Sequence, residues 1–176
     1  MEKGIKRTLI YEGKVISMNV DDVILDDGTK AKREFVLHNG GVCIAMKDSD
    51  GRFFMVRQYR YVQGKEMYEF CAGKIEAGED PDKAILREAE EEIGYRAINV
   101  RKLGQIIPTC AYSSEHIHLY YGEKGERVGQ NLDYDERLEA NKFTFEEIKE
   151  MIRNGEIDDA KTIAIMYHME MEGLNA

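Results

Sequence analysis

Residues Gly73–Tyr95 read GKIEAGEDPDKAILREAEEEIGY, and the fold follows from how this stretch is punctuated. Gly73 and Gly78 bracket a loop. Asp80 suits a helix N-cap and Pro81 the first helical position, and nothing breaks the segment until Gly94, a natural C-terminal stop. At about 100° per residue, Glu88, Glu91 and Glu92 project from one side of the helix. Ile85, Leu86, Ala89 and Ile93 form an adjacent apolar stripe able to pack on a sheet, while Arg87 and Glu90 fall elsewhere. Three carboxylates on one edge repel one another unless solvent, a basic partner or a metal compensates. Taken alone, an EAEEE run is more often a solvated acidic face. The alternative is an oxygen-rich site for Mg²⁺ or Mn²⁺.

The chain has 176 residues, 43 % of them hydrophobic, which suits one domain with a real core. A net charge of −9 without a basic run argues against nucleic acid or an anionic membrane as a partner. Phosphate handling would then need local arginines or a bound cation. Cys43, Cys71 and Cys110 are an odd set without paired spacing, expected to be reduced thiols of a cytoplasmic protein. No apolar run has signal-peptide or membrane-spanning length, so a soluble protein is expected.

Strands are expected over 8–11, 15–25 and 34–37, broken at Gly13 and at Asp26-Asp27-Gly28. Residues 41–46 and 53–56 form a hairpin around Asp48-Ser49-Asp50-Gly51, and 67–72 leads into the opening stretch. Further strands are expected at 100–107 and 116–121, with His116 and His118 on one face of the latter. A polar loop is expected over 122–139, and 142–145 closes the sheet. Thr144 and Glu147 have capping-box spacing for a helix ending near Asn154-Gly155. Asp158 or Asp159 caps a last helix with Ile163, Met166, Tyr167 and Met169 as the candidates for burial. Mixed strands with few helices suggest an α+β or α/β sandwich.

Gly73, Glu79, Arg87, Glu88, Ala89, Glu91, Glu92 and Gly94 fill every invariant position of the Nudix box, G-x5-E-x7-R-E-U-x-E-E-x-G-U; only Tyr95 stands where an aliphatic is commoner. YEGKVI, KREFV, MVRQYR, EFCAGKIEAGE and DAKT extend the likeness along nearly the whole chain. It resembles the ADP-ribose pyrophosphatase group of the Nudix hydrolase superfamily. The resemblance implies a Nudix fold, an α/β/α sandwich with a mixed β-sheet, over residues 41–176. It implies N-terminal antiparallel strands over residues 1–40 used in homodimerisation and in the substrate site.

It implies, further, that Glu88, Glu91, Glu92 and the Ala72 carbonyl hold a cation, Mg²⁺ or alternatively Mn²⁺, and that Glu79 and Arg87 form a structural ion pair. Tyr11, Arg33, Arg57 and Gly73 would contact substrate, Glu91 and Glu92 would take part in catalysis, and Glu115 would help activate water. Such a site neutralises a diphosphate, makes a water more acidic and provides a carboxylate to accept its proton. The implied reaction is hydrolysis of a nucleotide sugar at its pyrophosphate, ADP-ribose to AMP and ribose 5-phosphate. The chain departs from the group at Cys71 and Cys110, where relatives carry proline. A GDP-sugar or another nucleoside diphosphate derivative is the runner-up substrate, and a non-hydrolytic nucleotide-sugar sensor the runner-up role.

Overall fold

A computed structural model of the chain describes residues 1–134 and 136–174. They form two compact units, Met1–Gly40 with Ile107–His116, and Gly41–Ile106 with Ile117–Ala176.

The first unit is an antiparallel meander of β1 (Glu2–Glu12), β2 (Ile16–Leu25) and β3 (Lys30–His38), with β2 central. Its turns are where glycine and aspartate place them. Gly28 has φ 87°, and the Asp27 carboxylate accepts the Thr29 N–H at 2.9 Å. Residues 107–116 run beside β3, where Val36 N–H donates to the Tyr112 carbonyl (2.8 Å) and Ser114 N–H to the Val36 carbonyl (3.0 Å). Every residue of β1 is exposed, Ile5, Leu9, Ile10 and Tyr11 included.

The second unit contains β4 (Gly41–Lys47), β5 (Phe53–Arg60), β6 (Lys65–Glu69), β7 (Cys71–Lys74), β8 (Tyr95–Ile106), β9 (Ile117–Arg127) and β10 (Leu138–Phe143). Its helices are α1 (Pro81–Glu88), continued by a π-helical turn over Ala89–Ile93, then α2 (Phe145–Arg153) and α3 (Ala160–Met171). The sheet is mixed, in the order β10-β5-β4-β9-β8, and only the β4–β9 pairing is parallel. Strand β4 is buried from Gly41 to Met46, as a central strand covered on both faces must be. Cys43 and Ala45 point with Met55 and Leu119 into a core shared with Ile148, Ile165 and Met169 of α2 and α3. Val42, Ile44 and Met46 point the other way, against Ala84, Ile85, Ala89 and Ile93. Helices therefore cover both faces of the sheet, the α/β/α sandwich expected.

β4 pairs with β5 only at Met46–Lys47, and the segment from Lys65 to Lys74 serves both strands. Its first half, β6, pairs with β5; its second half, β7, pairs with β4. The single strand expected over 67–72 is thus two, divided at Phe70.

Other expectations are corrected. Residues 122–127, expected in a loop, continue β9, because pairing with β8 satisfies their backbone; Asp135, within that expected loop, lies outside the described residues. His116 precedes β9, so only His118 is in the strand. In α3 the buried residues are Thr162, Ile165, Met166 and Met169, at spacing i, i+3, i+4, i+7 from a helix capped by Asp159. Ile163 and Tyr167, expected inside, lie on the outer face. Leu86 is half exposed, and its expected place in the stripe of α1 is taken by Ala84. The capping box of Thr144 and Glu147 forms as expected.

Candidate metal centre

Asp80 caps α1 by accepting the Asp82 N–H at 2.8 Å, and Pro81 opens the helix. The Tyr120 hydroxyl of β9 donates to Asp82 at 2.6 Å and seats this first turn on the sheet. The helix stops at Gly94, whose φ of 82° is left-handed. Its terminal carbonyls are met by the loop after β9: Val128 and Gly129 N–H donate to the Gly94 carbonyl and Asn131 N–H to that of Glu91 (3.1 Å). The Gln130 amide donates to the Glu92 carbonyl.

Between these ends the helix widens into the π turn, a feature often found at functional sites. Glu88 and Glu92 do not lie beside the buried stripe, as expected, but within it: they are 9 % and 4 % exposed, between Ala84, Ile85, Ala89 and Ile93. Glu91 is intermediate in exposure.

The buried pair faces β7. A Cβ on Gly73 would lie 1.8 Å from the Glu88 carboxyl carbon, so glycine is required for the carboxylate to stand there. Ala72 N–H donates to Glu92 at 3.1 Å. The fully buried Cys71 thiol acts on the same carboxylate and lowers it. Burial pushes the Glu92 carboxyl up to about 8; Cys71 and Ala72 oppose this, and the charges of Glu88 and Glu136 add to it. Glu88 is also raised by burial, with Arg87 opposing.

Arg87 reaches back to the loop: it donates to both oxygens of Glu79 at 3.0 Å and to the Lys74 carbonyl at 3.1 Å. It does not stand apart from the acids, however. The i,i+4 spacing brings it to Glu91 at 2.9 Å, and it donates to Glu88 at 2.8 Å. Glu79 is lowered chiefly by Arg87.

Among the described residues no three acid, histidine or cysteine side chains converge on one point. Two buried carboxylates beside a strand backbone nevertheless fit Mg²⁺, which is commonly held by one or two protein carboxylates and keeps several waters. Buried carboxylates of raised pKa are also what a cation would relieve.

The remaining expected residues fall in both units. Arg57 on β5 pairs with Glu66 and lies 4.0 Å from Glu139. In the first unit, Arg33 on β3 is bound to Glu2 and to its neighbour's carbonyl, and it lines a small cavity with Phe35, Leu37, Cys110 and Tyr112. Tyr11 is 60 % exposed on β1. Glu115 has its N–H on the Ser113 hydroxyl at 3.1 Å and its carboxylate 3.7 Å from His38 Nδ1, which accepts the Gly40 N–H.

Two features escaped the sequence. Glu136 stood in an expected polar loop, with no periodicity to connect it to Glu88 and Glu92. Arg60 donates to both oxygens of buried Glu69 at 2.7 and 2.6 Å, and Glu69 also receives Lys161. That the second R of VRQYR takes a buried carboxylate could be found only once β6 is paired with β5.

A NUDIX domain model matches residues 37–164. The chain is 36 % identical to an ADP-ribose pyrophosphatase of Bacillus subtilis (strain 168), over 99 % of this chain and 96 % of that protein. It is also 36 % identical to a methanol dehydrogenase activator of Bacillus methanolicus, over 97 % and 94 %. A crystal structure of an ADP compounds hydrolase superposes with a TM-score of 0.85 at 15 % identity, covering 98 % of this chain and 95 % of that one, which shows a common fold. The chain belongs to the NUDIX domain family, and it has the fold and the complete acid-bearing helix of a Nudix pyrophosphohydrolase.

Proposed function

We propose that this protein hydrolyses the pyrophosphate bond of a nucleoside diphosphate sugar with Mg²⁺, ADP-ribose first, giving AMP and ribose 5-phosphate. The observation that carries the proposal is the buried pair Glu88 and Glu92 set against Gly73 and Ala72. Glu88, Glu92 and the Ala72 carbonyl hold the cation, with Glu91 assisting. A bound Mg²⁺ neutralises phosphate charge and acidifies a water. Arg87 and Glu79 keep the loop against the helix. Arg57 leaves Glu66 to pair with phosphate oxygens, for which a planar guanidinium is well shaped. Tyr11, Arg33 and Gly73 contact the substrate, and Mn²⁺ substitutes for Mg²⁺. The full-length likeness to an ADP-ribose pyrophosphatase supports this substrate over a GDP-sugar.

Glu115 is the proposed proton acceptor. A second reading puts Glu136 in that role, because its charge raises both Glu88 and Glu92. Glu115→Gln and Glu136→Gln separate the two, since only the true acceptor should lose most of kcat and the alkaline-rising limb of its pH profile.

A homodimer in the cytoplasm completes the proposal, with the exposed apolar residues of β1 as its interface. A monomer by light scattering that is fully active would refute it. A panel of nucleotide sugars assayed with Mg²⁺, beside Glu92→Gln, tests the activity. Tight binding by the wild type without turnover of any member would leave a sensor instead.

A further inference from the structure

The DAKT motif has a place in the fold that the proposed reaction does not use. Phe70 is the residue at which the chain leaves β5 for β4, so its N–H belongs to neither ladder. That N–H donates to the Thr162 hydroxyl at 3.0 Å, and both residues are fully buried. The hydroxyl has one proton, which goes to Asp159 at 2.6 Å; Asp159 also caps α3 and takes Lys161 at 2.8 Å. Lys161 reaches on to Glu69, 1 % exposed, which Arg60 clamps from the other side. Two cations and two carboxylates balance, so the buried acids have partners and the cluster is rigid.

Residues 69 and 70 are therefore held by the first turn of α3. Ala72 is held by Glu92, and Gly73 lies directly against the Glu88 carboxylate. One five-residue length of strand is pinned at one end to the DAKT turn and at the other to the carboxylate helix. We propose that Thr162 and Lys161 are positioning residues for the cation site: they fix Phe70 and Glu69, and thereby the height of the Ala72 carbonyl and of Gly73 against Glu88 and Glu92. This rests on the cation-binding reading of that pair.

Mn²⁺ binding to the substrate-free protein, followed by electron paramagnetic resonance, tests it without any need for turnover. Thr162→Val should weaken Mn²⁺ binding about tenfold and lower kcat more than it changes KM, whereas Thr162→Ser, which keeps the hydroxyl, should stay within about twofold. Lys161→Met should act in the same direction, with Lys161→Arg restoring most of the loss, and it decides the matter should Thr162→Val fail to fold. A Thr162→Val protein that melts earlier yet binds Mn²⁺ like the wild type overturns the proposal, as does a Thr162→Ser protein equally impaired. A wild type that binds Mn²⁺ but cleaves no nucleotide sugar removes the proposed activity and leaves this inference to the titration. A wild type that binds no Mn²⁺ removes both.

Discussion

Arg87 and Arg57 are both expected to serve a diphosphate hydrolase, and the structure treats them differently. Arg87 is fastened by five hydrogen bonds to Glu79, Glu88, Glu91 and the Lys74 carbonyl, next to carboxylates in the core. Arg57, and Arg33 in the other unit, are bound to acids on the surface, Glu66 and Glu2. A buried network has one low-energy arrangement, because each polar group inside must keep its partner. An exposed pair contributes little and exchanges easily for a phosphate. The acid-bearing loop and helix are fixed by that network, whereas the surface pairs of Arg57 and Arg33 could open at little cost, as the proposed binding of phosphate requires.

That contrast can be broken, most severely at Gly73. Gly73→Ala places a methyl on the Glu88 carboxylate. It should lower kcat/KM by roughly 10³-fold, as should Glu92→Gln, because a carboxylate of the site is displaced or lost. Steady-state rates with Mg²⁺ measure this, and activity within tenfold of wild type would move the site elsewhere.

Arg87→Met leaves Glu79, Glu88 and Glu91 without their shared partner. It should destabilise the protein by roughly 2 kcal/mol and cut kcat by about tenfold or more, seen in denaturant melts and rates. A variant equal in stability to the wild type would mean that the loop is held by its backbone alone.

The buried acids also set a pH dependence. The Glu92 carboxyl is raised in the folded state to about 8 from 4.5, so the folded chain holds this proton more tightly than the unfolded one. With metal chelated, stability should be greatest below the unfolded value and fall as pH rises towards 8. Melting between pH 5 and 8 should drop by roughly 10 °C, and the slope should flatten in Glu92→Gln. A melting temperature that rises over this range in the wild type would contradict the burial of Glu92.

How much of this was legible in the sequence follows the same line. The helix, its cap at Asp80 and its stop at Gly94 depend on spacing within some twenty residues, which composition and periodicity encode, whereas the Arg87–Glu79 brace was implied by the Nudix resemblance alone. The depth of Glu88 and Glu92 was not legible, since a carboxylate in an apolar stripe looks like one beside it. What decides is the sheet beneath, with a glycine at 73 and an amide at Ala72. Residues 122–127 read as polar loop because β9 is long and its outer end is solvated. Glu136, Lys161 and Thr162 were silent for a third reason: each acts on a group far along the chain, Thr162 on Phe70 across 92 residues, while Arg60 meets Glu69 only through the β5–β6 hairpin.

The smallest effect is expected from the exposed side of the comparison. Arg57→Ala should leave the denaturation midpoint close to that of wild type, because its partners are solvated, and raise KM by roughly tenfold. An unchanged kcat/KM would remove Arg57 from the substrate.

The central claim is that Glu88 and Glu92 hold a divalent cation used to cleave a nucleotide sugar. Its most direct test is product analysis after incubating the protein with ADP-ribose at increasing Mg²⁺. AMP and ribose 5-phosphate should form in equal amounts, saturating with Mg²⁺, abolished by a chelator and nearly absent in Glu92→Gln. Turnover that persists in the chelator, or that Glu92→Gln leaves intact, would contradict it.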